Sequence, residues 1–101
     1  MNLQSINSVA LSGMGAATSR LAMAAHNVAN SSTPGFHRLV PEIRTQHGGG
    51  VSVSAATSPN EGAQLAEDLV AQRVALYDFR ANLAVVKTGF EMMGSLLDLM
   101  A

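Results

Sequence analysis

The sequence predicts an all-α fold: a long antiparallel, coiled-coil-like helical hairpin with an irregular central linker, self-associating through its helices. Three observations carry this. Apolar residues recur with 4-3 spacing over five heptads near the C-terminus, in two rows. One row is Leu65, Gln72, Phe79, Val86, Met93 and Met100; the other is Leu69, Leu76, Leu83, Phe90 and Leu97. A shorter heptad pattern occupies the N-terminal third, and all three prolines and a glycine triplet lie between the two patterns. Residues 1–101 are therefore read as a single helical domain. It comprises an N-terminal helix at 3–29, a flexible linker at 30–60 and a long C-terminal helix at 61–100.

In the first helix, Leu3, Ala10, Ala17 and Ala24 form one row and Met14, Leu21 and Val28 its companion. Small residues on one row let a second backbone approach closely. Gly13 and Gly15 each weaken the helix by roughly 1 kcal/mol relative to Ala, a cost that is tolerable if close packing compensates. The helix is expected to stop in "NVANSSTPGF": Asn30 tolerates the left-handed conformation that closes many helices. Pro34 and Gly35 suit the central positions of a type II turn between Thr33 and Phe36, and Phe36 can fold back onto the apolar face.

Residues 31–60 read as extended or flexible connection. Val51 and Val53 alternate with Ser, which also admits a short strand, but a loose loop is the favoured reading. Asn60 is the expected N-cap of the last helix, with Glu61 in its first turn. Some forty residues at 1.5 Å each give that helix a span of roughly 60 Å. It is longer than the first helix, so one hairpin leaves part of the seam uncovered, and this is the reason to expect self-association.

Composition removes several classes of function. A net charge of −1 with 13% charged residues gives no electrostatic footprint for nucleic acid or anionic lipid. At 4% aromatics and no Trp, stacking platforms for single strands are not expected. No Cys is present, so disulfides and thiolate metal sites are excluded. The first twenty residues lack the basic and apolar regions of a secretory signal, and no apolar run is long enough for a membrane span.

No catalytic constellation emerges, and no cofactor or metal is expected. His26, His37 and His47 lie ten or eleven residues apart, far from the tight pairs of metal sites. Glu67 and Asp68 are adjacent, point to different helix faces and read as a solvated face near a helix start. Ser31, Ser32 and Thr33 have no attached base. The glycines at 48–50 lack the Lys-Ser/Thr of a phosphate loop. Asn27 and Asn30 either cap the first helix or bond neighbouring helices or subunits. Arg20 and Arg80 are either solvated or pair with Glu67 and Asp68 across subunits. Met92, Met93 and Met100 read as adaptable packing.

"LSGMGAATSRLAMAAHNVANSSTPGFHR" resembles the N-terminal signature of flagellar rod, hook and hook-associated axial proteins. That signature joins an SG[LM] element, an RL pair, A-x-N-[IV]-A-N and T-x-G-[FY]. Ser12, Gly13, Met14, Arg20, Leu21, Ala25, Asn27, Val28, Ala29, Asn30, Thr33, Gly35 and Phe36 occupy the matching positions. The C-terminal segment is similar to the family's last helix through Leu65, Glu67, Asp68, Leu69, Val70, Tyr77, Asn82, Lys87, Thr88, Met92, Met93 and Leu97. The family's long central insertions are replaced here by a short linker.

The resemblance implies a structural axial component of the bacterial flagellar basal body, a rod-like subunit and not an enzyme, assembling through its terminal helices. It implies partners in copies of itself and in other rod and hook proteins, with no nucleic acid and no membrane insertion. It further implies passage through the flagellar type III export apparatus without a cleavable signal peptide, and residence in the periplasmic rod. Subunit packing is expected at Met14, Leu21, Val28, Leu69, Leu76, Phe79, Leu83, Val86, Phe90, Met93 and Leu97. The signature turn is Asn27, Asn30, Thr33, Pro34, Gly35 and Phe36. A soluble helical-bundle adaptor or chaperone-like binding module is the alternative from a different class.

Overall fold

A computed structural model describes residues 2–100. The chain runs through helix α1 (Leu3–Ala29), strand β1 (His37–Thr45), strand β2 (Val51–Glu61) and helix α2 (Leu65–Met100). The fold is mixed α/β, not all-α. The segment expected to be an irregular linker folds as a two-stranded antiparallel hairpin, in register from Leu39 opposite Thr57 to Thr45 opposite Val51.

The hairpin's turn explains the glycine triplet. Gln46 N–H donates to Gly50 O at 2.9 Å, and Gly49 N–H donates to Gln46 O at 3.1 Å. Gly48, Gly49 and Gly50 all take positive φ, at 92°, 106° and 94°, a conformation in which a Cβ is strained. The turn docks on α1 through Ser12, whose hydroxyl accepts from Val51 N–H at 3.2 Å and donates to Val9 O at 2.7 Å.

α1 starts at Asn2, whose side-chain oxygen accepts from Ser5 N–H at 2.8 Å. It ends at Asn30, which is not left-handed: its φ is −101°. Instead its backbone N–H and side-chain amide both donate to His26 O, at 3.1 and 2.9 Å. Asn60 and Glu61 belong to β2, so neither opens α2. That helix starts at Leu65, with Glu67 and Asp68 in its first turn.

The two helices run antiparallel, as successive pairs show: Asn27 with Asp68, Arg20 with Asp78, Gly13 with Asn82, Asn7 with Gly89. This register covers α2 from about Asp68 to Gly89 and leaves the last two to three turns without a helical partner. From α1 the seam takes Ala10, Ala17 and Ala24, with Gly13, Arg20 and Asn27 beside them. From α2 it takes Asp68, Ala75, Asn82 and Gly89, with Gln72, Phe79 and Val86. The leucine row Leu69, Leu76, Leu83, Phe90 and Leu97 lies about a quarter turn away from the seam and stays exposed.

Small residues select this seam. A Cβ on Gly13 would sit 2.7 Å from the Asn82 amide, and one on Gly89 would strike the buried side chain of Asn7. α1 therefore approaches α2 along the face where side chains are smallest. Six buried apolar residues, five of them Ala and one Val, make up the core among the described residues.

The result is a slab of 63 × 25 × 13 Å, with a radius of gyration of 17.5 Å against the roughly 13 Å of a compact domain of this length. Its surface, 6901 Å², exceeds by about 1,500 Å² the roughly 5,400 Å² of a folded monomer of 10.5 kDa.

Glycines at and off the seam should respond oppositely to alanine. Gly15→Ala meets nothing within 4 Å and should stabilise by about 0.5–1 kcal/mol through helix propensity. Gly89→Ala gains the same propensity but forces Asn7 out of its place, and should destabilise by about 1–3 kcal/mol. Urea unfolding at one protein concentration decides; a gain for both variants would mean the helices do not pack along this seam.

Candidate functional site

Three polar residues from three elements meet at one end of the slab. Asn27 and Asp68 are each only 2% exposed. The Asn27 amide serves Leu39 as a neighbouring strand would: its oxygen accepts Leu39 N–H at 2.8 Å and its nitrogen donates to Leu39 O at 2.8 Å. The ladder phase explains why Leu39 is available. Gln46 bonds across to Gly50, so even-numbered β1 residues pair inward while Leu39 turns its backbone groups outward. Pro41, next on that edge, has no N–H to leave open.

Asn27 Nδ2 also donates to Asp68 Oδ1 at 3.3 Å. Asp68 in turn accepts a forked pair from Arg38, Nε at 3.0 Å and Nη2 at 2.5 Å. The Asp68 hydrogen bond raises the Arg38 pKa above its ordinary value against the opposing effect of burial, so the guanidinium stays charged. Asp68 is thus buried and paired within its own chain, not part of a solvated face. Arg20 likewise pairs in cis, with Asp78 at 2.6 Å, and not with Glu67 or Asp68. Arg80 is exposed.

The turn that follows α1 completes this end. Phe36 N–H donates to Thr33 O at 3.3 Å and Gly35 has φ 72°, the geometry of a type II turn around Pro34 and Gly35. The Thr33 hydroxyl donates to the Asn30 side-chain oxygen at 3.2 Å. Phe36 tilts against His26, with ring centroids 5.6 Å apart, and its carbonyl accepts Gly62 N–H at 2.9 Å as the chain leaves β2.

Of the residues expected to pack between subunits, Val86 is buried inside the chain and Phe79 half-buried against α1. Met14, Leu21 and Val28 are half-buried along one edge of α1. Leu69, Leu76, Leu83, Phe90, Met93 and Leu97 are exposed, from 38% at Leu76 to 65% at Leu97. A second exposed apolar flank lies on the other side of the α1-facing seam: Val70, Val74, Val85, Met92 and Leu96. Asp78 interrupts the period of that flank, which hides it from 4-3 spacing in the sequence.

Sequence reasoning also missed Arg38. Its only signal was a lone cation directly after the Gly-Phe-His of the turn. Among the described residues no group of three or more His, Asp or Glu could hold a metal ion, and no helix is long and apolar enough to cross a membrane.

Fold and site together define an elongated helical hairpin, braced by a β-hairpin and carrying exposed apolar flanks along α2. Residues 8–37 match the flagella basal body rod protein family, so α1 and its closing turn carry that family's signature. The match spans just under a third of the chain and supports a flagellar basal body rod component in general, from a family whose role is structural. Curated proteins gave no match. The matched segment supplies Ser12 to the hairpin turn, Gly13 and Arg20 to α2, and Asn27 to both β1 and α2.

Removing one member of the buried pair leaves the other charged and unpartnered. Asp68→Ala should destabilise by about 3–5 kcal/mol. Asn27→Ala should cost about 1–3 kcal/mol, by stranding the Leu39 backbone groups. Chemical denaturation with amide exchange at Leu39 checks both. A loss below 1 kcal/mol for Asp68→Ala would mean the three elements hold together without the Asn27–Arg38–Asp68 cluster.

Proposed function

We propose that this protein is a rod subunit of the flagellar basal body that assembles with copies of itself, and with other rod and hook proteins, through its helices. The observation that carries this reading is the uncovered row Leu69, Leu76, Leu83, Phe90 and Leu97. Full burial of one such side chain contributes roughly 1.5–3 kcal/mol, and within the chain the row stays exposed, with only Leu76 and Phe90 bordering the edge of α1. The surplus surface supports the same reading. About 1,500 Å² corresponds to nearly two patches of about 800 Å², the usual contribution of one partner to a stable interface.

Apolar flanks on two sides favour a subunit with two neighbours. Such contacts, repeated by a screw rotation, build open filaments and not closed dimers. A closed-dimer adaptor would need one flank only. Residence in the periplasmic rod, and arrival there through the type III export apparatus without a cleaved signal, belong to this proposal and follow from the family resemblance. The work is mechanical, and no cofactor enters it.

Two measurements test the reading. Light scattering of the purified chain at micromolar concentration should give species larger than a monomer. Leu83→Asp should shift them toward monomer about tenfold or more in dissociation constant, through the cost of burying a carboxylate. Thr57→Asp, the same charge on the exposed hairpin, should shift them less than twofold. In a flagellated host, truncation after Val70 should leave basal bodies without a complete rod in electron micrographs. A monomeric wild-type chain together with normal rods in the truncated strain would sink the proposal.

A further inference from the structure

The β-hairpin rests on α1, and the backbone of neither strand comes close to α2. A groove therefore runs between the hairpin and α2, with α1 as its floor. Two adjoining stretches of about 460 and about 320 Å³ share Arg20 and Ile43. The Arg38–Asp68 pair bridges the groove at the Asn27 end. The floor extends from Asn27 to Gly13, fourteen residues or about 21 Å of helix. One wall presents Val40, Pro41 and Ile43; the other presents Val70 and Val74.

Resting on the assembly reading above, we propose that this groove receives α2 of a second copy, through its Leu76, Leu83 and Phe90. Three features of the chain fit that occupant. Leu76 to Phe90 is also fourteen residues, so three anchors spaced by seven match the floor in length. The leucine row and the groove lie on different sides of α2. A copy can therefore give its row to one neighbour and its groove to another, and two contacts of this kind account for the surplus surface.

The third feature is charge. Arg73, Arg80 and Lys87, also seven apart and exposed, run beside the leucine row, and none has an ion-pair partner among the described residues. The α2 wall of the groove carries Glu67, which has no ion-pair partner among the described residues, and Asp78, whose carboxylate is paired with Arg20. Arg20, on the floor, is already neutralised by Asp78, and its buried Nε lacks an acceptor. A basic strip entering beside the apolar row thus meets the unpaired Glu67 on the rim.

The chain has no cysteine, so single-cysteine variants report the contact without background. Ile43→Cys protein, on the groove wall, is mixed with a differently tagged Leu83→Cys protein and oxidised. The mixed disulfide should exceed each homodimer severalfold, and Ser54→Cys, on the exposed hairpin, should give little. Reversing Arg73, Arg80 and Lys87 to Glu in the Leu83→Cys protein should lower the mixed product about fivefold, the value of one exposed pair, with circular dichroism unchanged.

A dominant Leu83→Cys homodimer would overturn the groove contact in favour of a symmetric leucine seam, and would leave the assembly reading intact. An unchanged yield after charge reversal would also overturn it. Absence of any disulfide, with a monomeric chain in light scattering, would remove the groove contact and the assembly reading together.

Discussion

The buried carboxylate of Asp68 is the constraint around which the rest of this chain is arranged. A carboxylate at 2% exposure is costly unless it is paired and hydrogen-bonded. Here the compensation is supplied from two other elements, Arg38 of β1 and Asn27 of α1. Because the three groups come from three elements, Asp68 is satisfied only when both helices and the hairpin are in place. Asn27 extends the same condition to the sheet edge, through the backbone of Leu39. A polar cluster of this kind contributes less to net stability than to selecting one arrangement, since breaking it costs more than forming it gains. That selectivity matters here, because the apolar residues alone allow several ways of laying one helix on the other.

The heptad pattern shows how much of this was legible in the sequence. The helices were legible because 4-3 spacing over five heptads has no other reading, and the glycine triplet was legible as a break. Which row faces inward was not. Leu69, Leu76, Leu83, Phe90 and Leu97 look like the interior of a coiled coil, yet α1 sits against Asp68, Ala75, Asn82 and Gly89. The reason lies in the partner. α1 offers Ala10, Gly13, Ala17 and Ala24, and two backbones this lightly clothed approach where both rows are small. A rule that places the most apolar row inside presumes that the rest of the core is within the same chain.

The β-hairpin was hidden for a related reason. Its strands are largely exposed, so the alternation that marks a half-buried strand survives only at Val51 and Val53. Pro41 and three charged residues interrupt β1. The strands are specified instead by the three positive-φ glycines and by contacts from α1 through Ser12 and Asn27, residues 39 and 12 positions away. Asp68 was misread as solvated because its partners lie 30 and 41 residues distant, beyond any local pattern.

Burying the small, polar row inside has a consequence for how the molecule works. Among the described residues, five Ala and one Val as the buried apolar set make a thin core, and a chain of this length has only about 5–15 kcal/mol of stability to hold it. The large side chains, which would contribute most if buried, are kept for the surface. Under the proposed assembly their burial is realised on association and not on folding, which links assembly to stability through mass action. The polar cluster and the apolar flanks divide the labour. The cluster at one end fixes the shape of the chain, and the flanks along α2 stay exposed. For the proposed rod subunit that division has a use, because what specifies its fold is polar and internal while what would drive packing between copies is apolar and external.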